Sequence, residues 1–100
     1  MAGGLAAPVI KGLGALVTGL SFPYVAPADG VLYYRFTVTS SGSPSWAYIQ
    51  EHNTGYYLAQ AYTTNGVAVA GNIPVKKGWD LRNPTKQNCS LYSLMFAPFE

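Results

Sequence analysis

Residues 31–40, VLYYRFTVTS, decide the fold class of this chain. Their side chains alternate in character, so that Leu32 and Phe36 fall on one face and Arg35 falls on the other. A period of two residues is the pattern of a β-strand with one buried face and one face that is at least partly exposed. The stretch is therefore predicted to be a strand that supplies one side of a hydrophobic core.

The sequence on both sides of this strand repeats the pattern, with turn signals at intervals of about ten residues. Turns are predicted at residues 27–30, 52–55, 65–66 and 76–78, where Asp, Asn and Gly permit tight or left-handed backbone. Residues 71–72, Gly-Asn, are expected to interrupt a further strand. No helical period separates these segments. The chain is therefore predicted to be all-β, a small antiparallel β-sandwich of jelly-roll type with about seven or eight short strands.

The composition is unusual for one domain. Of its 100 residues, 49% are hydrophobic and 14% aromatic, while only 10% are charged, against about a quarter in typical soluble domains. Such a composition excludes a disordered chain, and 11 Gly and 7 Pro exclude a helical bundle. We therefore expect other subunits to cover part of the surface.

Few ionisable side chains are available for chemistry. Six basic residues are scattered along the chain, which predicts no nucleic-acid binding. The single cysteine, Cys89, excludes an intrachain disulfide. We expect no catalytic residues, no metal ion and no cofactor. A small hydrolase or metal enzyme that uses Glu51, His52 and Cys89 is the enzymatic alternative.

Residues 1–19 are apolar but rich in glycine, and residues 20–100 form the predicted sandwich. Pro8, Lys11 and three glycines interrupt the apolar run, so we expect neither a spanning helix nor membrane insertion. A disordered terminus is one interpretation. The other is an arm that docks on a neighbouring subunit or larger assembly, because its aliphatic side chains are costly to leave in water. The proposed docking side chains are Leu5, Val9, Ile10, Leu13, Leu16 and Val17.

Tyrosine and tryptophan are more numerous than one small core requires. Both combine an apolar ring with a polar tip and are favoured at interfaces. One hypothesis is therefore a carbohydrate- or receptor-binding surface. Its candidate contacts are Trp46, Tyr48, Tyr56 and Trp79.

Three phrases resemble small trimeric jelly-roll domains of the tumour-necrosis-factor/C1q type that occur in bacteriophage and prophage proteins. The phrases are FPYVAPADG at 22–30, NIPVKKGWD at 72–80 and LMFAP at 94–98, and the resemblance covers roughly residues 20–98. The strands are shorter than in full-sized members. Trp79 also stands where the family goes straight from Gly to Asp.

The resemblance implies a homotrimer that acts as a fibre tip, head fibre or capsid decoration. On that basis we expect a non-enzymatic virion protein, made in the bacterial host cytoplasm and attached to capsid or tail proteins through residues 1–19. A cell-surface glycan is a possible further ligand. The candidate subunit-interface residues are Tyr34, Phe36, Tyr57, Tyr62, Tyr92 and Phe96.

Overall fold

A computed structural model describes residues 12–39, 44–64 and 68–99. Three of the proposed docking side chains, Leu5, Val9 and Ile10, and the predicted turn at 65–66 lie outside the described residues. The described residues form an all-β sandwich of two antiparallel sheets, as the sequence predicts. The strands are β1 (Tyr24–Val25), β2 (Gly30–Val38), β3 (Ser45–Glu51), β4 (Tyr57–Thr63), β5 (Val69–Val75), β6 (Asp80–Arg82), β7 (Lys86–Gln87) and β8 (Cys89–Pro98).

The first sheet has the strand order β5-β2-β8, and the second has β1-β6-β3-β4. Strand β7 also pairs with β3, at Trp46 and Ala47, whereas β6 pairs with Gln50 and Glu51. Strands β6 and β7 therefore run alongside β3 as one interrupted strand. Both β2 neighbours are antiparallel, with Leu32 opposite Ile73 on one side and Phe96 on the other. Long strand β2 therefore lies at the centre of the first sheet, as its alternating sequence predicts.

Residues 13–20, which we call the edge segment, run antiparallel along the free edge of β8. The Val17 amide donates to the Phe96 carbonyl at 2.7 Å, and the Phe96 amide donates back to the Val17 carbonyl at 2.9 Å. Further bonds join Gly14 to Pro98 and Leu20 to Leu94. The arm predicted to end at residue 19 thus includes residues that belong to the sandwich.

With the edge segment counted as a strand, the connectivity is that of a jelly roll. The chain passes from the edge segment to the second sheet at β1, returns to the first at β2, and continues to cross between sheets apart from the β3–β4 hairpin. Each sheet then has four positions, and alternate crossings bury one face of each strand against the other sheet.

The core between the sheets is formed by aliphatic and aromatic side chains from both sheets. The side chains of Leu32, Phe36, Leu94 and Phe96 enter it from the first sheet, while Ala47, Ile49 and Leu81 enter from the second; all are at most 1% exposed. Burial of each large apolar side chain contributes about 1.5–3 kcal/mol. The prediction that Phe36 and Phe96 lie at a subunit interface is therefore wrong, because both rings are buried within their own chain.

A β-bulge changes the facing of side chains in β8. Arg35 lies opposite Ser93 and Phe36 lies opposite Leu91, which leaves Tyr92 as an extra residue. Strict alternation would place Leu91 on the opposite face from Phe96. The bulge instead lets Leu91 pack against the core and leaves Tyr92 67% exposed. The Arg35 guanidinium lies over the Tyr92 ring at 5.1 Å on this outer face.

Residues of the first two family-like phrases contact each other at one end of the sandwich. The Gly78 amide donates to the Ala26 carbonyl and the Ala26 amide donates to Trp79. The Asp29 carboxylate accepts a bond from the Lys77 amide at 2.8 Å. These bonds join the turn before β2 to the turn after β5, which are distant in sequence.

Glycine is retained inside β5 for a packing reason. Residues 71–72 do not end the strand, because β5 continues from Val69 to Val75. A Cβ atom at Gly71 would meet the Tyr34 ring, which lies across this position. Tyr34 therefore packs against the partly covered margin of the core, and its place at a subunit interface stays a prediction.

Candidate functional site

The outer face of the second sheet carries an aromatic row formed by Trp46, Tyr48 and Tyr57. Trp46 and Tyr48 project outward because their neighbours Ala47 and Ile49 are buried in the core. The ring centroids are 5.6 Å apart for Trp46 and Tyr48 and 5.0 Å apart for Tyr48 and Tyr57, with tilted planes. Such spacing is typical of favourable aromatic pairs, so the rings support one another at the surface.

Polar side chains are interleaved with the aromatic row. The strand register places Tyr62 opposite Trp46 and Gln60 opposite Tyr48. The Gln60 amide nitrogen donates to the Tyr48 hydroxyl at 3.0 Å and thereby fixes the direction of that ring. This face therefore presents rings and hydrogen-bonding groups side by side.

A cleft with a volume of about 420 Å³ adjoins the row. Gln50 lies opposite Tyr57 on one side and Arg82 on the other, so it connects the row to the cleft. The cleft is lined by Phe22, Pro23, Gln50, His52, Arg82, Asn83 and Pro84. The peptide bond between Phe22 and Pro23, which form one wall, is cis.

The charges around the cleft are largely compensated. Arg82 donates to both carboxylate oxygens of Asp80, at 3.2 and 2.9 Å. The hydrogen bonds to Asp80, with its negative charge, raise the pKa of the Arg82 guanidinium despite some desolvation. A bidentate pair of this kind holds the guanidinium plane in a fixed orientation. The lining thus offers directed donors and acceptors with little net charge.

The Glu51 carboxylate has a structural role at the end of β3. It accepts the Thr54 amide at 2.8 Å and the Asp80 amide at 2.9 Å, and so joins the β3–β4 turn to β6. Desolvation acts to raise the pKa of Glu51, but hydrogen bonds from Asp80, Thr54 and Asn53 outweigh it and lower the pKa below its ordinary value. Glu51 is 3% exposed, and its carboxylate oxygens accept hydrogen bonds from backbone amides of the same chain.

The residues of the enzymatic alternative are not brought together. Glu51 is at one end of β3, whereas the buried Cys89 thiol donates to the Trp46 carbonyl near the other end. His52 is exposed in the β3–β4 turn. Among residues 12–39, 44–64 and 68–99, no group of three metal-binding side chains is found. The described part of the chain also contains no helix that could cross a membrane.

The outer face of the first sheet differs chemically beside the edge segment, because exposed aliphatic side chains lie there. Leu13 and Leu16 of the edge segment are 44% and 49% exposed on this face, whereas Val17, which is 45% exposed, lies opposite the inward-facing Phe96. A groove of about 260 Å³ lies beside Leu13 and Leu16, with Tyr33 and Met95 among its lining residues. Tyr33 and Met95 are not among the predicted interface residues. The alternation of residues 31–40 could have indicated Tyr33, since it places this side chain on the face of β2 that points away from the core.

The predicted contact residues are distributed over several surfaces. Trp46 and Tyr48 lie together, and the 71%-exposed Tyr56 precedes Tyr57 of the row. Trp79 lies beyond the C-terminal end of β3, whereas Trp46 lies near the N-terminal end. There Trp79 lines a separate groove with Phe99.

The predicted interface tyrosines are also separated. Tyr57 and Tyr62 lie on the outer face of the second sheet, whereas Tyr92 lies on that of the first. The two sheets therefore present two distinct candidate surfaces instead of one.

Comparison of the chain with protein-family models gave no match. Comparisons with curated proteins and with solved structures also gave no match. The family-level interpretation therefore depends on the sequence phrases, and the functional interpretation depends on the two surfaces described above.

Proposed function

We propose that this chain is a structural, non-enzymatic subunit of a bacteriophage particle that assembles as a homotrimer and attaches through the residues that precede the edge segment. The observation that carries the assembly part is the aliphatic surface formed by Leu13 and Leu16 beside Tyr33 and Met95. The phage and threefold parts depend on the sequence resemblance alone.

The physical argument begins with the cost of exposed apolar side chains. Exposed aliphatic side chains that lie together beside a groove are typical of interaction sites. A domain of this size also buries only about two thirds of its unfolded surface by itself. A closed symmetric oligomer would cover the aliphatic surface beside the edge segment while leaving the aromatic row of the second sheet in solvent.

Native mass spectrometry at micromolar concentration tests the assembly. We expect a trimer, and we expect the double variant Leu16→Lys, Tyr33→Lys to be a folded monomer because it places charge on the aliphatic surface. Tyr62→Lys on the opposite sheet is the matched control and should stay trimeric. A monomeric wild-type protein would refute the assembly proposal, and a dimer would refute its threefold part.

The particle assignment needs a separate measurement. Mass spectrometry of purified phage particles from a host that carries the gene should detect the chain at a fixed ratio to capsid or tail proteins. Its absence from particles, with the protein present in the cells, would contradict the virion role.

A second candidate function, carbohydrate binding, is favoured by the aromatic row and its interleaved amides. Aromatic rings stack on the apolar faces of sugars, and amides and hydroxyls bond to the sugar hydroxyls. This function is compatible with trimer formation, because it uses the opposite sheet. Binding to a glycan array is its first test, and the absence of any glycan ligand would exclude it.

A further inference from the structure

We propose that the cleft and the aromatic row form one continuous binding site for a neutral oligosaccharide. This inference rests on the second candidate function and goes beyond it by naming the site and the chemical class of the sugar. The cleft would hold one sugar unit, and the row would contact the units that follow.

Continuity between the two parts comes from the strand register. Arg82, Gln50 and Tyr57 lie side by side across three neighbouring strands, on the outer face. Tyr48 lies two residues before Gln50 on that face, and Trp46 lies two residues before Tyr48. The distance from Trp46 to Gln50 along β3 is roughly 13 Å, at about 3.3 Å per residue. A single linear ligand can therefore contact both the cleft and the row.

The cleft favours an uncharged ligand. The Arg82 guanidinium is paired with Asp80, with the nearest N···O distance 2.9 Å, so an incoming anion would meet a carboxylate as well as a cation. His52 is the remaining titratable side chain among the described lining residues. An ion pair flanked by the Gln50 amide presents donors and acceptors together, and this combination matches hydroxyl groups, which both donate and accept.

The site is held in place before any ligand arrives. Asn83 donates to the Tyr48 carbonyl at 2.7 Å, which fixes the strand connection at the cleft margin. Gln60 orients the Tyr48 ring, and Gln50 donates to the Gly55 carbonyl at 3.0 Å. Side chains that are fixed in the free protein lose little further entropy on binding.

Intrinsic fluorescence gives a direct test, since the chain has two tryptophans, at positions 46 and 79. In a Trp79→Phe background, Trp46 is the sole reporter and lies in the proposed site. The probes are linear neutral hexasaccharides of glucose, mannose, galactose and N-acetylglucosamine, each titrated to millimolar concentration. Oligogalacturonate is the acidic comparison. Circular dichroism and thermal unfolding verify that each variant is folded.

We expect at least one neutral hexasaccharide to change the Trp46 emission in a saturable manner. Tyr57→Ala and Gln50→Ala should each weaken that binding by roughly two- to tenfold, since each removes one contact. Tyr92→Ala, on the other sheet, is the matched control and should leave the affinity unchanged. This set of results would support the proposal.

Three other outcomes would overturn it, and they differ in what they say of the second candidate function. Neutral sugars that bind with unchanged affinity to Tyr57→Ala and Gln50→Ala would show a different site on a carbohydrate-binding protein. Binding of the acidic oligomer alone would show the wrong sugar class. Absence of binding to every probe and to a glycan array would exclude both the site and the function.

Discussion

Substitution of Val17 by proline tests whether the edge segment is a strand of the sandwich or a detached arm. Proline has no amide hydrogen, so the variant removes the 2.7 Å bond that Val17 donates to the Phe96 carbonyl. A backbone hydrogen bond contributes about 0.5–1.5 kcal/mol net. Distortion of the reciprocal bond, in which Phe96 donates to Val17 at 2.9 Å, adds to this cost.

The expected loss is about 1–2 kcal/mol in the free energy of unfolding. Each kcal/mol lowers Tm by about 4–8 °C in a domain of 60–100 residues, so Val17→Pro should lower Tm by roughly 4–16 °C. Differential scanning calorimetry measures this shift. Amide hydrogen exchange of Phe96 should become faster in parallel, because its acceptor has moved.

Val17→Thr is the matched control, because threonine keeps both the branched shape and the amide hydrogen. The Val17 side chain is 45% exposed, so the new hydroxyl can reach water and the effect should be small. An unchanged Tm and unchanged Phe96 exchange in Val17→Pro would refute the reasoning. That result would mean that residues 13–20 contribute nothing to the folded sandwich.

Two further predictions concern glycines and the buried carboxylate. Gly30→Ala should destabilise the fold by about 1–3 kcal/mol in urea unfolding, because the added Cβ meets the fixed Ala97 carbonyl; Gly71→Ala should cost less, because its neighbour is the movable ring end of Tyr34. Equal losses for the two glycines would contradict this explanation. Glu51→Gln should lower Tm at pH 7, because the hydrogen bonds that lower the pKa of Glu51 stabilise its ionised carboxylate in the folded state. The difference in Tm from wild type should disappear as the pH falls below the ordinary carboxyl pKa of 4.5 and the carboxylate becomes protonated. A gap that is independent of pH would show that the charge of this carboxylate has no role.

Much of the fold was predictable because short-range rules decide it. The alternation in residues 31–40 places Leu32 and Phe36 in the core, and the adjacent β3 sequence places Trp46 and Tyr48 outside. The turn signal at 76–78 also coincides with a real turn between β5 and β6, in which Gly78 has a positive φ of 90°. In each case a local pattern is sufficient.

The remaining features depend on contacts that are distant in sequence. The bulge at Tyr92 reverses the facing of Leu91, and no pattern within β8 signals it. The pairing of the edge segment with β8 joins opposite ends of the described chain, so local composition predicted an arm that docks elsewhere or is disordered and did not indicate a strand of the same sandwich. Phe96 was predicted at a subunit interface because an aromatic residue gives the same sequence signal in a core as at an interface.

The candidate site was only partly predictable. Abundant tyrosine and tryptophan indicated a binding surface, and Trp46 and Tyr48 do lie side by side on the outer face of the second sheet. The inclusion of Trp79 depended on residue type alone, and the register places it at the other end of β3. Gln50 and Arg82, which connect the row to the cleft, give no signal in the sequence, because their proximity arises only when β6 pairs with β3.

The edge segment also has a consequence for how the protein folds. Its partner β8 is the last strand of the sandwich, so this pairing forms late during synthesis, and its large loop-closure entropy slows it. Until then, the segment and the bare edge of β8 are both exposed. At high local concentration each copy can exchange this strand with a neighbour at little cost, because the same bonds form in either arrangement. Refolding at increasing protein concentration should therefore shift chains from intramolecular closure to strand-exchanged assemblies.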